Sequence, residues 1–168
     1  MEHVTSKQSH MLLSVKIRLT RPLLGERRYG DNVRRFKKTR DGKIDIDPAH
    51  WNWAFSQAAS SLHLAVDYSA LSPALGLVTP SLVLYNRRFT ARKEGKEING
   101  SEMHEAVSAG TLISFELAVL ECLGKKEPAP SQEQTAEMLS FVGSFVGISQ
   151  WGNKFGYGRF DLESLDLK

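Results

Sequence analysis

Between residues 14 and 43 the chain places eleven lysines and arginines (Lys16, Arg18, Arg21, Arg27, Arg28, Arg34, Arg35, Lys37, Lys38, Arg40 and Lys43) against three acids, Glu26, Asp31 and Asp41. That is +8 in thirty residues of a chain whose net charge is +3, so the remainder carries −5. Such asymmetry builds a local field that attracts polyanions. A solvated basic loop without a partner is the bland alternative, but like charges at this density repel one another and call for compensation. A second cationic pair, Arg87-Arg88, ends an apolar run farther on.

The sharpest local feature is Val-Gly-Ile-Ser-Gln-Trp-Gly-Asn-Lys-Phe-Gly-Tyr-Gly-Arg-Phe, residues 146–160. Gly147, Gly152, Gly156 and Gly158 alternate with Trp151, Phe155 and Tyr157, and with Lys154 and Arg159. Glycine allows close backbone approach and positive φ. Clustered amides near a helix end can cradle phosphate oxygens. Aromatic faces can stack on bases, and cations can pair with phosphate. The bland alternative is a tight turn that tucks its aromatics into the core.

Other chemistry is sparse. Asp45, Asp47 and His50 have a spacing that could hold a metal, but Asp47 is better explained as a helix cap, and no metal or other cofactor is expected. His104, between Glu102 and Glu105, reads as a surface histidine, and His63 as packed or paired with a helix end. Cys122, the one cysteine, can form no internal disulfide and reads as a buried thiol. The chain has no Gly-x-x-x-x-Gly-Lys-Ser/Thr, His-Glu-x-x-His or Gly-x-Ser-x-Gly motif, and no catalytic residue is singled out.

These residues need elements to position them. The length of 168 residues fits one domain, expected over residues 11–168 after a flexible N-terminus at 1–10. With 41% hydrophobic and 24% charged residues it is globular. No apolar run reaches the ~18 residues that span a bilayer, and a polar start predicts a cytoplasmic protein. Leu13, Val15, Ile17 and Leu19 alternate with polar neighbours over 11–20, which predicts a strand with one buried face. Residues 21–46 read as a basic two-stranded arm inserted after it, turning at Asp41-Gly42. Asp47-Pro48 opens a helix whose face is Trp51, Ala54, Phe55, Ala58 and Leu62. A loop over 67–80 leads to a strand over 81–89, then a long loop or second hairpin over 90–109 that holds Gly95 and Asn99-Gly100, then a strand over 110–120. Ser131 and Gln134 form a capping box for a second, largely buried helix closed by Gly147. A last strand over 159–167 carries a phase slip near Glu163-Ser164. The order predicts an α+β, ferredoxin-like βαββαβ domain: an antiparallel sheet with both helices on one face and the other face free to meet a ligand.

With that order, the glycine-rich segment ending in Gly-Tyr-Gly-Arg-Phe before the last strand resembles the RAMP superfamily, the ferredoxin-like RNA-binding subunits and repeat-RNA endonucleases of CRISPR systems. The close match covers about fifteen positions. The resemblance implies an RNA-facing position for Gly152, Lys154, Gly156, Gly158 and Arg159, with the arm along the bound strand. The function expected is a non-catalytic subunit that binds the backbone of single-stranded RNA, with DNA as the other strand type, inside a ribonucleoprotein with protein partners or copies of itself. Contacts are expected from Lys16, Arg18, Arg27, Arg28, Arg34, Arg35, Lys37, Lys38, Arg40, Arg87 and Arg88, with Trp151 or Tyr157 stacking a base. Two other readings remain open: a metal-independent endoribonuclease of the same fold, and a phage or complex assembly protein whose arm clasps a neighbouring protomer.

Overall fold

The structure, a computed structural model, describes residues 9–73, 81–121, 124–149 and 155–168. Cys122, Trp151, Gly152 and Lys154, and the expectations placed on them, lie outside these residues.

Strand β1 (Ser9–Leu19) follows its alternation: Leu13, Val15, Ile17 and Leu19 are buried, and Lys16 and Arg18 are exposed. It sits inside an antiparallel four-stranded sheet, with β8 (Leu112–Glu121) on one side and β9 (Phe160–Leu167) on the other. β5 (Leu71–Pro73) closes the far edge against β8, giving the order β5-β8-β1-β9. This is the ferredoxin-like order. The register passes from Lys16–Ser164 to Ile17–Leu162, which leaves Glu163 as a bulge where the slip was expected.

Helix α1 (Pro48–Ser61) starts as its sequence dictates. The Asp47 carboxylate accepts from the Ala49 amide at 2.9 Å, and Pro48 holds the first turn. Helix α2 (Gln132–Phe141) has the full capping box between Ser131 and Gln134. It runs on through a π-turn, Val142–Val146, and ends at Gly147 with φ +81°. Trp51, Phe55, Met138, Leu139 and Val142 share one core with the odd-numbered face of β1, which puts both helices on that side of the sheet.

The sequence assignment of the second ferredoxin strand is corrected. That place is taken by β5, three residues within the segment expected to be a loop. The run expected there belongs to β6 (Val83–Lys93), which forms a long hairpin with β7 (Lys96–Val107) in a second sheet. Asn99-Gly100 is not its turn. Glu94 and Gly95 are, both with positive φ (+54° and +76°). Gly100 lies mid-strand under the Phe89 ring, where a Cβ would stand 2.5 Å from a ring carbon.

The basic excursion is not a free arm either. β2 (Leu23–Leu24) pairs with β7, β3 (Arg27–Arg28) pairs with β4 (Val33–Arg35), and β4 lies parallel to β7 with Val33 and Arg34 beside Met103 and His104. At Asp41-Gly42 the chain does turn back, with a single bridge from Lys38 to Ile44. Pairing with β7 gives the excursion's amides and carbonyls partners that an isolated hairpin of this length would lack.

Candidate nucleic-acid interface

The two sheets carry different charge. On the open face of the first, Lys16, Arg18 and Lys168 stand among Glu116, Asp161, Glu163 and Asp166. Arg18 donates to Glu163 at 2.7 Å and to the Gly110 carbonyl at 3.0 Å, and Lys168 pairs with Glu116. Acids outnumber cations on this face. In contrast, segments 23–45 and 83–107, which build the second sheet, hold thirteen Lys/Arg against eight Asp/Glu, a net of +5; the rest of the chain carries −2.

In the second sheet the register sets like charges opposite each other: Arg27 faces Arg35, and Arg28 faces Arg34. Such pairs are destabilising by themselves. Acids from other positions offset them. Asp31 in the β3–β4 turn accepts from Arg35 at 2.9 Å, which lowers its pKa. Glu102 of β7 accepts from Arg34, from Arg28 at 2.9 Å and from Arg87 at 2.9 Å. Burial alone would raise the Glu102 pKa, but the three guanidinium bonds outweigh it and bring it down to about 2. Glu105, also on β7, accepts from the Phe36 amide at 3.1 Å and from Lys38 at 3.0 Å, with Arg35 at 3.7 Å. Lys37 lies 3.4 Å from Asp45. Arg27, Arg40 and Arg88 are exposed.

Arg87 and Arg88 therefore differ, because successive strand residues point to opposite faces. Arg87 is 7% exposed and lies among Glu102, His104 and the Phe89 ring, whose centroid is 4.7 Å from its guanidinium carbon. His104 is fully buried, which corrects the reading of a surface histidine. Its Nδ1 donates to the Gly25 carbonyl at 2.7 Å and its Nε2 accepts from Arg87 Nε at 3.4 Å. Burial pushes its pKa down, so the ring is neutral. His63 is exposed at the end of α1 with φ +54°, rather than packed. His50 is buried, its Nε2 donating to the Gly147 carbonyl at 3.0 Å, a tie between α1 and the glycine-rich segment. Among the described residues no group of three His, Cys, Asp or Glu could hold a metal.

The described part of the glycine-rich segment is a structural clasp. Ile148 donates to the Gly158 carbonyl at 3.0 Å, and Gly158 donates to the Pro22 carbonyl at 2.8 Å. A Cβ on Gly147 would stand 2.8 Å from the Tyr157 carbonyl, and one on Gly158 2.9 Å from the Ser149 amide. Backbone runs against backbone there, which only glycine permits. Gly156 is buried. Tyr157 is 8% exposed and packs with Leu24, Ala106 and Tyr85, so its ring belongs to a small second core. The Arg21 guanidinium lies 4.8 Å from that ring's centroid. Arg159 is half-buried, and its Nε has no partner among the described residues.

Two open depressions flank the base of the β6–β7 hairpin and share Arg87 and Phe89. One, about 730 Å³, is lined by Arg28, Asn32, Arg34, Asn86, Ser101, Glu102 and Met103 as well. The other, about 520 Å³, adds Arg88, Thr90, Asn99, Gly100, Phe155 and Tyr157. Beyond them both strands are exposed out to the turn, including Phe89 and Ile98. Glu102, Glu105, Asn32, Asn86 and Phe89 are the site residues that sequence reasoning missed. One signal was available: with the turn at Glu94-Gly95, counting seven residues back along each strand sets Arg87 opposite Glu102.

No family model matches the chain, and no curated protein matches it either. A solved structure does. A chain in the cryo-EM structure of the Type III-B Cmr-beta bound to cognate target RNA superposes with a TM-score of 0.61 at 11% identity. The match covers 94% of this chain and 60% of that one, so the present chain spans about three fifths of its neighbour's length. The likeness concerns the fold, and it takes in nearly all of this chain. Among the described residues no helix is long and apolar enough to cross a membrane.

Proposed function

We propose that the chain is a non-catalytic, RAMP-like RNA-binding subunit that holds the backbone of single-stranded RNA on its second sheet, within a CRISPR-type ribonucleoprotein. The observation that carries the reading is the concentration of positive charge on that sheet, with Arg27, Arg28, Arg40 and Arg88 exposed, while the open face of the first sheet is acid-rich. Guanidinium groups suit phosphate oxygens, and contacts of this kind position a strand without reading its sequence. The fold shared with a chain of an RNA-bound complex supports the same partner class. The excursion is hydrogen-bonded to β7 of its own chain, and among the described residues the exposed end of the β6–β7 hairpin is a segment able to reach a neighbour.

The test is binding of a labelled ~30-nucleotide strand, as RNA and as DNA, across a salt series; each neutralised phosphate contributes about −0.7 to the slope of log K against log salt. A slope of roughly −3 or steeper with RNA preferred is the expected result. Absence of binding at ~50 mM salt overturns the reading for the isolated chain.

A further inference from the structure

Three guanidinium groups converge on one carboxylate at Glu102. Counted over these four side chains the net charge is +2, and Arg34 also donates to the Glu26 carbonyl at 3.0 Å. The Glu102 side chain is only 13% exposed, so water screens this surplus less than at an open surface. The three arginines form a graded series: the side chain of Arg87 is 8% exposed, that of Arg34 24% and that of Arg28 66%. All three line the larger depression, with exposure rising from Arg87 to Arg28. Apart from Glu102 the lining of that depression holds no acid. Asn32, Asn86 and Ser101 supply neutral hydrogen-bonding groups of the kind that meet phosphate and sugar oxygens. Arginines occupy all four paired positions of β3 and β4, an arrangement whose like-charge cost is offset by the ion pairs with Asp31, Glu102 and Glu105.

We propose that this depression is a phosphodiester subsite in which Arg28 and Arg34 grip a backbone phosphate, and that Glu102 is a positioning residue that presets them. The proposal rests on the RNA-binding reading for the source of the phosphate, and it names the place and the residue that organises it. Glu102 holds Arg28 by one N–H of the five that a guanidinium carries, and most of that side chain faces solvent. Fixing the group beforehand reduces the rotamer freedom lost when phosphate arrives.

The test turns on a sign. Glu102→Gln removes a negative charge and so raises the local net charge by one. If the acid only offsets arginine charge, affinity for the ~30-nucleotide RNA rises. If it positions the guanidiniums, affinity falls, and Glu102→Asp recovers part of it. Arg28→Ala, at an exposed side chain, is expected to weaken binding about tenfold and to make the salt slope shallower by about 0.7. Thermal melting identifies a Glu102 variant that fails to fold, in which case Arg28→Ala decides. Separately, inorganic phosphate is titrated while the side-chain Nε–H resonances of Arg28 and Arg34 are followed. Saturable shifts support an anion subsite even if the long strand does not bind, and absence of shifts overturns it. An unchanged slope for Arg28→Ala on a protein that still binds RNA steeply overturns the subsite and leaves the general reading standing. A gain of affinity in Glu102→Gln overturns the positioning role.

Discussion

The two sheets are built from the same kinds of strand residue yet present opposite surfaces. The first packs α1 and α2 on one face and shows acids on the other, where Arg18 pairs with Glu163 and Lys168 with Glu116. The second has little core of its own, with Leu24, Ala106 and Tyr157 as its buried cluster, and is held in part by arginines around Glu102 and lysine and arginine around Glu105. A sheet stabilised by burial can place any charge on its outer face. One stabilised by ion pairs must place acids where the cations converge, and here the acids are too few to match them.

The largest test of this contrast is a paired deletion of charge. Replacing Arg27, Arg28, Arg40 and Arg88 with alanine is expected to reduce RNA affinity by about a hundredfold or more at ~100 mM salt, and to make the salt slope shallower by up to ~2.8. Replacing Lys16 and Arg18 is expected to change it less than about threefold. Filter binding of the two variants side by side checks it; equal losses would erase the distinction between the sheets. Next in size is Gly158→Ala. With φ +76° and a backbone amide in the way, it should destabilise the fold by about 1–3 kcal/mol in urea melts. A stable variant would mean that the clasp joining the sheets is dispensable.

Acid pH separates the sheets more gently. His104 is held below its ordinary pKa in the folded state, so the unfolded chain takes up its proton first. Stability is therefore full above about pH 6.5 and declines as pH falls below it. Glu102, ordinarily near 4.5 and here about 2, adds a second decline between those values. Both groups belong to the second sheet. Urea midpoints from pH 7 to pH 3 should show the two limbs, and Glu102→Gln should flatten the lower one. Smallest is Glu163→Gln, which removes an ion pair whose partners are 47% and 41% exposed and should cost less than about 1 kcal/mol in the same melts.

Much of the first sheet was legible along the chain. The alternation of β1, the Asp47-Pro48 start of α1, the Ser131–Gln134 capping box and the slip at Glu163 all depend on residues a few positions apart. The candidate site was legible only as composition. The basic side chains are visible in the sequence, but the burial of Arg87 is not, and Glu102, which accepts from both Arg28 and Arg34, lies about seventy residues from them. Gly147 ends the second helix as its sequence position suggests, and the reason that it and Gly158 must be glycine, a backbone that passes against each, is visible only in the fold.

By itself the sequence determined the α+β class, both helices and their caps, the buried face of β1 and the excess of positive charge in one stretch, because these follow from local periodicity, capping and composition. Tertiary structure decided which strand pairs with which. A run over 81–89 has the same alternation whether it edges the first sheet or begins a hairpin, and a three-residue strand ending in Pro73 carries almost no periodic signal. Once β6 paired with β7 and β4 lay parallel to it, Glu102 came within reach of three arginines. Their charge became a shaped surface rather than a count.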